Sequence, residues 1–192
     1  MTSAPGLVVR DAIVSDVEMI RRIYAHYVAT GLATFEETTP PGAVMAERWR
    51  AVRSAGLPYL VAECKGDVVG YCYAAAYRSR SAYRFTVEDS VYVADGLSRR
   101  GVGRALLSTL IARCEAGPWR QMVAVIGDSN NTASISLHTN QGFRPVGTLN
   151  AVGFKLNRWV DCVLMQRALG EAASTPPKPG SAVGGLVRGD PA

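Results

Sequence analysis

Apolar and polar positions along this chain follow two periods. Val17, Ile20, Ile23, Tyr24 and Tyr27 recur at helical spacing. Ser15 with Glu18 forms a capping-box pattern, so a helix is predicted from Ser15 to about Thr30. A second helix is predicted over Pro41–Ser54, after the loop "GLATFEETTPPG". A third starts at Gly101, carries Val102, Leu106, Leu107, Leu110, Ile111 and Cys114 on one face, and stops at Gly117-Pro118. A short fourth helix opens at Asn131 and ends at Gly142. Between these lie β-type runs: "GLVVRDAI", "PYLVAEC", "VVGYCYAAAY", "YRFTVEDSVYVA", "QMVAVIG", "FRPVGTL" and "RWVDCVLMQRAL". "QMVAVIG" is almost continuously apolar, as for a strand buried on both faces.

The predicted order is β-α-α-β-β-β-α-β-α-β-β. This is an α/β (α+β) fold with a central mixed twisted sheet and helices on both faces. The helix from Gly101 is a crossover, so the strands flanking it must run parallel. Residues 1–170 read as one domain. Residues 171–192, rich in Pro, Gly, Ala and Ser, read as a disordered tail.

Composition narrows the classes. The net charge of +5 is modest, and no run of five or six like charges occurs, which argues against a nucleic-acid-binding module. No apolar run is long enough to span a bilayer, and the first residues lack the pattern of a secretion signal. The four cysteines lie inside apolar patterns without a CxxC pair, which fits reduced thiols in a cytoplasmic protein. With two histidines far apart, no metal site is expected.

Chemistry concentrates in "SRRGVGRALL". The first turn of a helix leaves backbone N–H groups unpaired at the positive end of the helix dipole. Gly101 and Gly103 let an anion approach those amides, and Arg99, Arg100 and Arg104 add charge at the same point. The spacing is neither GxGxxG nor GxxxxGKS, so a dinucleotide fold or P-loop is not indicated. A pyrophosphate cradle fits, although for a G-x-G taken alone a plain turn is the better explanation.

"SRRGVGRALL" resembles the Q/R-x-x-G-x-G/A signature of the GCN5-related N-acetyltransferase superfamily, with Ser98 at the position usually held by Gln or Arg. "NNTASISLHTNQGF" is similar to that superfamily's Asn-led helix ending in Gly-Phe. "TVEDSVYV", "VAVIG", "SLHTNQGF" and "VGFKLNRWVD" resemble its phosphinothricin and methionine-sulfoximine acetyltransferase subgroup. The likeness covers roughly Val8 to Leu169. It implies acetyl-CoA as co-substrate, with the pyrophosphate at Arg99, Arg100, Gly101, Val102, Gly103 and Arg104. It also implies a pantetheine arm along Val91, Tyr92 and Val93, and contacts from Asn131 and Ser134. Asn131 also suits a plain N-cap.

Acetyl transfer to an amine needs a base, a stabilised oxyanion and a leaving thiolate that is protonated or otherwise stabilised. The resemblance implies that Glu88 is the base. Strand alternation puts Asp89 on the opposite face. His138 stands where much of the superfamily has a tyrosine, and imidazole can donate to sulfur or relay a proton. The subgroup acts on small amino-acid-like amines. A carboxylate suits an arginine fork, and Arg78, Ser79 and Arg80 precede the Glu88 strand. Phe35 is a candidate pocket wall, or core. Lys155, Arg158 and Trp159 fall near the edge implied for a homodimer. Acetylation of a protein N-terminus or a polyamine is the alternative enzyme reading, and a CoA-binding sensor the non-enzyme one.

Overall fold

The computed structural model describes residues 6–177. Its elements are β1 (Leu7–Asp11), α1 (Val17–Thr30), α2 (Gly42–Ser54), β2 (Tyr59–Cys64), β3 (Asp67–Ala76), β4 (Thr86–Val93), α3 (Val102–Glu115), β5 (Gln121–Gly127), α4 (Thr132–Asn140), β6 (Arg144–Lys155) and β7 (Arg158–Ala168). Short 3-10 turns cover Val14–Asp16 and Ser81–Tyr83. One seven-stranded sheet runs in the order β1-β2-β3-β4-β5-β7-β6. β4 and β5 are parallel, as the α3 crossover requires, and the other neighbours are antiparallel.

Alternation along β4 sorts the two faces. Tyr92 packs on Tyr24 and Tyr27 of α1, with ring centroids 5.3 and 5.2 Å away. Glu88, Ser90 and Tyr92 therefore share the face that α1 covers. Cys72 pairs with Val91, and its thiol donates to the Leu106 carbonyl of α3 at 3.5 Å. Val87, Asp89 and Val91 therefore face α3. Leu106, Leu107 and Leu110 of α3 are fully buried with Leu60 and Met122 of the sheet. Each such side chain contributes roughly 1.5–3 kcal/mol of transfer free energy. Gly70 lets α3 come close. A Cβ there would stand 2.9 Å from the Tyr92 carbonyl oxygen and 3.0 Å from Leu106 Cδ1.

Four expectations need correction. Ser15 does not cap α1, because both oxygens of Glu18 are held by Arg21 and Arg22. Asp16 shapes the entry instead, accepting from the Ile13 amide at 2.8 Å and pairing with Arg10 at 2.7 Å. β5 is not buried on both faces. It alternates, with Met122, Ala124 and Ile126 buried and Val123 and Val125 half-buried. The half-buried pair shares the face of Glu88, whose register partner is Val123. β6 runs past Leu149 to Lys155, through an irregularity at which the Ala151 amide donates to Asp161 at 2.9 Å. Its hairpin turns at Leu156-Asn157, both at positive φ (49° and 61°), the conformation of a type I′ turn. At the C-terminus, residues 171–177 form turns, where Arg120 pairs with Glu171 at 3.0 Å. The rest of the expected tail lies outside the described residues.

Candidate active site

The β4–β5 ladder ends at Asp89 and Ala124. Beyond it β4 continues to Val93 and β5 to Gly127 without pairing, so the sheet opens between two parallel strands. β4 stays paired to β3 as far as Val93, leaving the other edge of Ser90–Val93 without a strand partner among the described residues, where another extended chain could add. The three residues expected along a pantetheine arm, Val91, Tyr92 and Val93, border this gap. The Val93 carbonyl already accepts from the Tyr27 hydroxyl at 2.7 Å.

The N-terminus of α3 and one side of α4 flank the gap. Arg99 and Gly101 have left-handed φ values of 63° and 84°, which turn the loop sharply into α3. A Cβ on Gly101 would meet no heavy atom within 4 Å, so the space above the first turn is open. A Cβ on Gly103 would lie 3.3 Å from Leu137 Cδ2 and 3.6 Å from Val93 Cγ2. The first turn of α3 therefore stands between β4 and α4. Arg99, Arg100 and Arg104 are exposed around it. Val102 is core, so only its backbone can serve an anion. The donors, the open Gly101 face and the cations fit a pyrophosphate.

Glu88 sits one residue before the end of the ladder, on the α1 face. Burial raises its pKa to about 7, the neighbouring Asp89 charge adds to this, and Arg78 opposes it. A carboxylate poised near neutrality is a competent base. Arg78 also stacks on Tyr77, its guanidinium 4.7 Å from the ring centroid. Ser79 and Arg80 are exposed on the same loop, and no contact among the described residues brings either to Glu88. Phe35 is half-buried and lies against Gly153, where a Cβ would come within 2.6 Å of its ring. Its loop is held by Tyr24–Thr34 (2.7 Å), Arg48–Glu36 (2.7 Å) and the Lys155 Nζ to Thr34 carbonyl bond (2.8 Å). Lys155 is thus buried although it ends the edge strand β6, while Arg158 pairs with Asp128 and Trp159 is exposed.

On the other face, Asn131 caps α4 by accepting from the Ser134 amide at 3.2 Å. His138, one turn beyond Ser134, is buried. Its Nδ1 lies 2.8 Å from the Ser134 carbonyl and its Nε2 3.0 Å from Asp89 Oδ2. Burial alone would lower the pKa of the ring. The hydrogen bond and charge of Asp89, with the Ser134 carbonyl, outweigh burial and raise it. His138 and Glu88 therefore stand on opposite faces of β4. Sequence reasoning gave Asp89 no role. Its alternation was readable, but the helix across from it was not.

A carboxylate at the mouth of a parted sheet, next to a helix N-terminus suited to phosphates, is the layout of a CoA-dependent acyltransferase. The chain belongs to the acetyltransferase (GNAT) family, whose domain profile matches residues 9–164. It is 57% identical over 171 residues to a phosphinothricin N-acetyltransferase of Alcaligenes faecalis, covering 89% of this chain and 85% of that protein. It is 39% identical to an L-methionine sulfoximine/L-methionine sulfone acetyltransferase of Pseudomonas aeruginosa, covering 88% and 98% of the two. The crystal structure of a phosphinothricin acetyltransferase from Sinorhizobium meliloti, in complex with AcCoA, superposes with a TM-score of 0.88 at 46% identity. It covers 91% of this chain and 95% of that one.

Proposed function

We propose that this enzyme transfers an acetyl group from acetyl-CoA to the α-amino group of a small amino acid or analogue of the phosphinothricin, methionine sulfoximine or methionine sulfone type. The observation that carries this reading is Glu88. It is a half-buried carboxylate with a pKa near 7, placed where β4 and β5 part. The named activities of the relatives support the substrate class.

Acetyl-CoA supplies the acetyl group as a thioester. The amides of Gly101, Val102 and Gly103, with Arg99, Arg100 and Arg104, hold its pyrophosphate. The free edge at Val91, Tyr92 and Val93 receives its arm, and Asn131 and Ser134 border it from α4. Arg78 binds the acceptor carboxylate, with Ser79 and Arg80 beside it, and Phe35 walls the side-chain pocket. Glu88 removes one proton from the ammonium group, directly or through water. The nitrogen then bonds to the acetyl carbon, the carbon–sulfur bond breaks, the nitrogen sheds a second proton to solvent, and sulfur leaves as thiolate. His138 acts from the opposite face. No metal takes part.

Two further features complete the proposal. The enzyme is a homodimer, joined through the outer strand β6. Val146, Leu149, Val152 and Phe154 of β6 and Trp159 of β7 are exposed, an apolar row that a second copy would cover. It works in the cytoplasm, away from membranes and nucleic acid. The four cysteines are free thiols, which suits a reducing compartment, and no helix among the described residues is long and apolar enough to cross a membrane.

The test is thiol release from acetyl-CoA in the presence of free amino acids, methionine sulfoximine, methionine sulfone, phosphinothricin, polyamines and N-terminal peptides. Turnover with the amino-acid analogues is expected. Turnover confined to peptides or polyamines would overturn the substrate class.

A further inference from the structure

Asp89 is buried at the last rung of the β4–β5 ladder. Its Oδ2 meets His138 Nε2 at 3.0 Å, and among the described residues its Oδ1 has no hydrogen-bond partner. A buried carboxylate in that state depends on a nearby cation. Among the described residues, the groups facing it from the other elements supply none. Cys72 of β3 and Cys114 of α3 lie close enough to feel its charge, and burial keeps both thiols protonated and neutral. The Cys72 thiol donates to Leu106, not to Asp89. Phe143 meets the imidazole edge to face at 5.0 Å. Among the described residues, the group placed to supply that cation is His138.

The ring's hydrogen-bond pattern agrees. A backbone carbonyl only accepts, so Nδ1 carries a hydrogen toward Ser134. An ionised carboxylate oxygen also only accepts, so beside a charged Asp89 it is Nε2 that carries a hydrogen. With Asp89 charged, both nitrogens are donors and the ring is an imidazolium. Losing the Nε2 proton would set a lone pair against a buried carboxylate that has no other partner.

The location gives the pair a consequence. Leu137, the residue before His138, approaches Gly103 in the first turn of α3, and Asp89 marks the vertex of the gap. We propose that Asp89 is a positioning residue that holds His138 doubly protonated at this vertex, so that His138 offers the acyl-transfer step a fixed positive charge rather than a transferable proton. The thiolate that forms when the carbon–sulfur bond breaks is stabilised by that charge, and no bond to a His138 hydrogen is made or broken. The electrostatic role rests on the acetyl-transfer reading above. The protonation state does not.

The experiment has two arms. Nitrogen-15 NMR of labelled protein reads the ring directly, and only His26 and His138 contribute. Between roughly pH 5 and 8 both His138 nitrogens should keep imidazolium shifts. A His138 ring that is neutral at pH 7 overturns the proposal without reference to activity. The second arm is Asp89→Asn. Its amide can donate to Nε2, so the hydrogen bond survives, the charge goes, and the ring becomes the neutral Nδ1–H form. The turnover number should fall on the order of a hundredfold, with KM for acetyl-CoA within about twofold of wild type. A merely structural role would leave turnover intact in this variant, and wild-type turnover overturns the proposal. If the variant does not fold, the wild-type spectrum still decides the protonation state, and His138→Gln supplies the neutral comparison for turnover. A wild-type protein inactive toward every amine would overturn the acetyl-transfer reading and with it the electrostatic role, while the spectrum judges the charge separately.

Discussion

Glu88 and Asp89 are adjacent in the chain and face opposite sides of the sheet, Glu88 toward the α1 side beside Arg78 and Asp89 toward His138. One peptide unit thus separates a carboxylate poised near neutrality from one locked to a buried imidazole. In the proposed reaction the amine approaches the gap from the first side. The phosphate cradle and α4 flank it on the second.

Glu88→Gln should lower turnover by about a hundred- to ten-thousand-fold and leave acetyl-CoA affinity unchanged. Wild-type turnover against pH should rise through about 7, because the base must be ionised. The sign for stability is the reverse. The folded pKa of Glu88 lies above its unfolded value, so its contribution is fully present below the unfolded pKa and is lost as pH rises through about 7. The melting temperature of Glu88→Gln relative to wild type should therefore increase across that window. Retained turnover in the variant would make Glu88 an ordinary strand residue.

Arg78 holds the Glu88 pKa below what burial and Asp89 would set. Arg78→Ala should therefore move the rising limb of the pH–rate profile to higher pH. It should also raise KM for the acceptor, on the order of tenfold to a hundredfold for a lost charge-assisted contact. An unmoved limb with unchanged KM would place Arg78 outside the site.

The cradle is tested at Gly101. A Cβ there meets no protein atom within 4 Å, so a weakened ligand cannot be blamed on a clash inside the protein. The left-handed φ of 84° adds a backbone cost of about 1–2 kcal/mol for a side-chain-bearing residue. Gly101→Val should remain folded with a lower melting temperature and lose measurable CoA binding in calorimetry. Unchanged affinity would remove the pyrophosphate from this turn.

These features were unequally visible in the sequence. The start of α3 was readable because a left-handed glycine before an apolar helical run marks a boundary locally. β5 was placed at Gln121–Gly127 by its apolar run, but its one-sided burial depends on what covers the α1 face. The capping box failed because a pattern match does not register rival partners, and Arg21 and Arg22 hold Glu18 more strongly than a backbone amide does. The place of Asp89 was invisible, since its partner is 49 residues away on a helix whose approach only the tertiary structure fixes. Lys155 misled for the same reason. A lysine beside a hairpin turn reads as surface, yet its ammonium group is covered by a loop 121 residues earlier.

That loop gives the last prediction. Lys155 Nζ donates to the Thr34 carbonyl at 2.8 Å and reaches the Tyr27 carbonyl at 3.4 Å, in the last turn of α1. The Tyr27 carbonyl also accepts from Gly31, so it keeps a partner without the lysine. Among the described residues no other donor serves the Thr34 carbonyl. Lys155→Met preserves most of the side-chain volume and removes the donor. It should destabilise the protein by about 1–3 kcal/mol, the cost of a partly buried carbonyl left unpaired. Because Thr34 immediately precedes Phe35, the variant should also raise KM for the acceptor amine. Affinity for acetyl-CoA should stay constant, since the cradle lies on α3. Thermal denaturation and steady-state kinetics against each substrate separate these effects. A destabilised variant with unchanged KM for the amine would mean that Phe35 packs against Gly153 without walling the acceptor pocket.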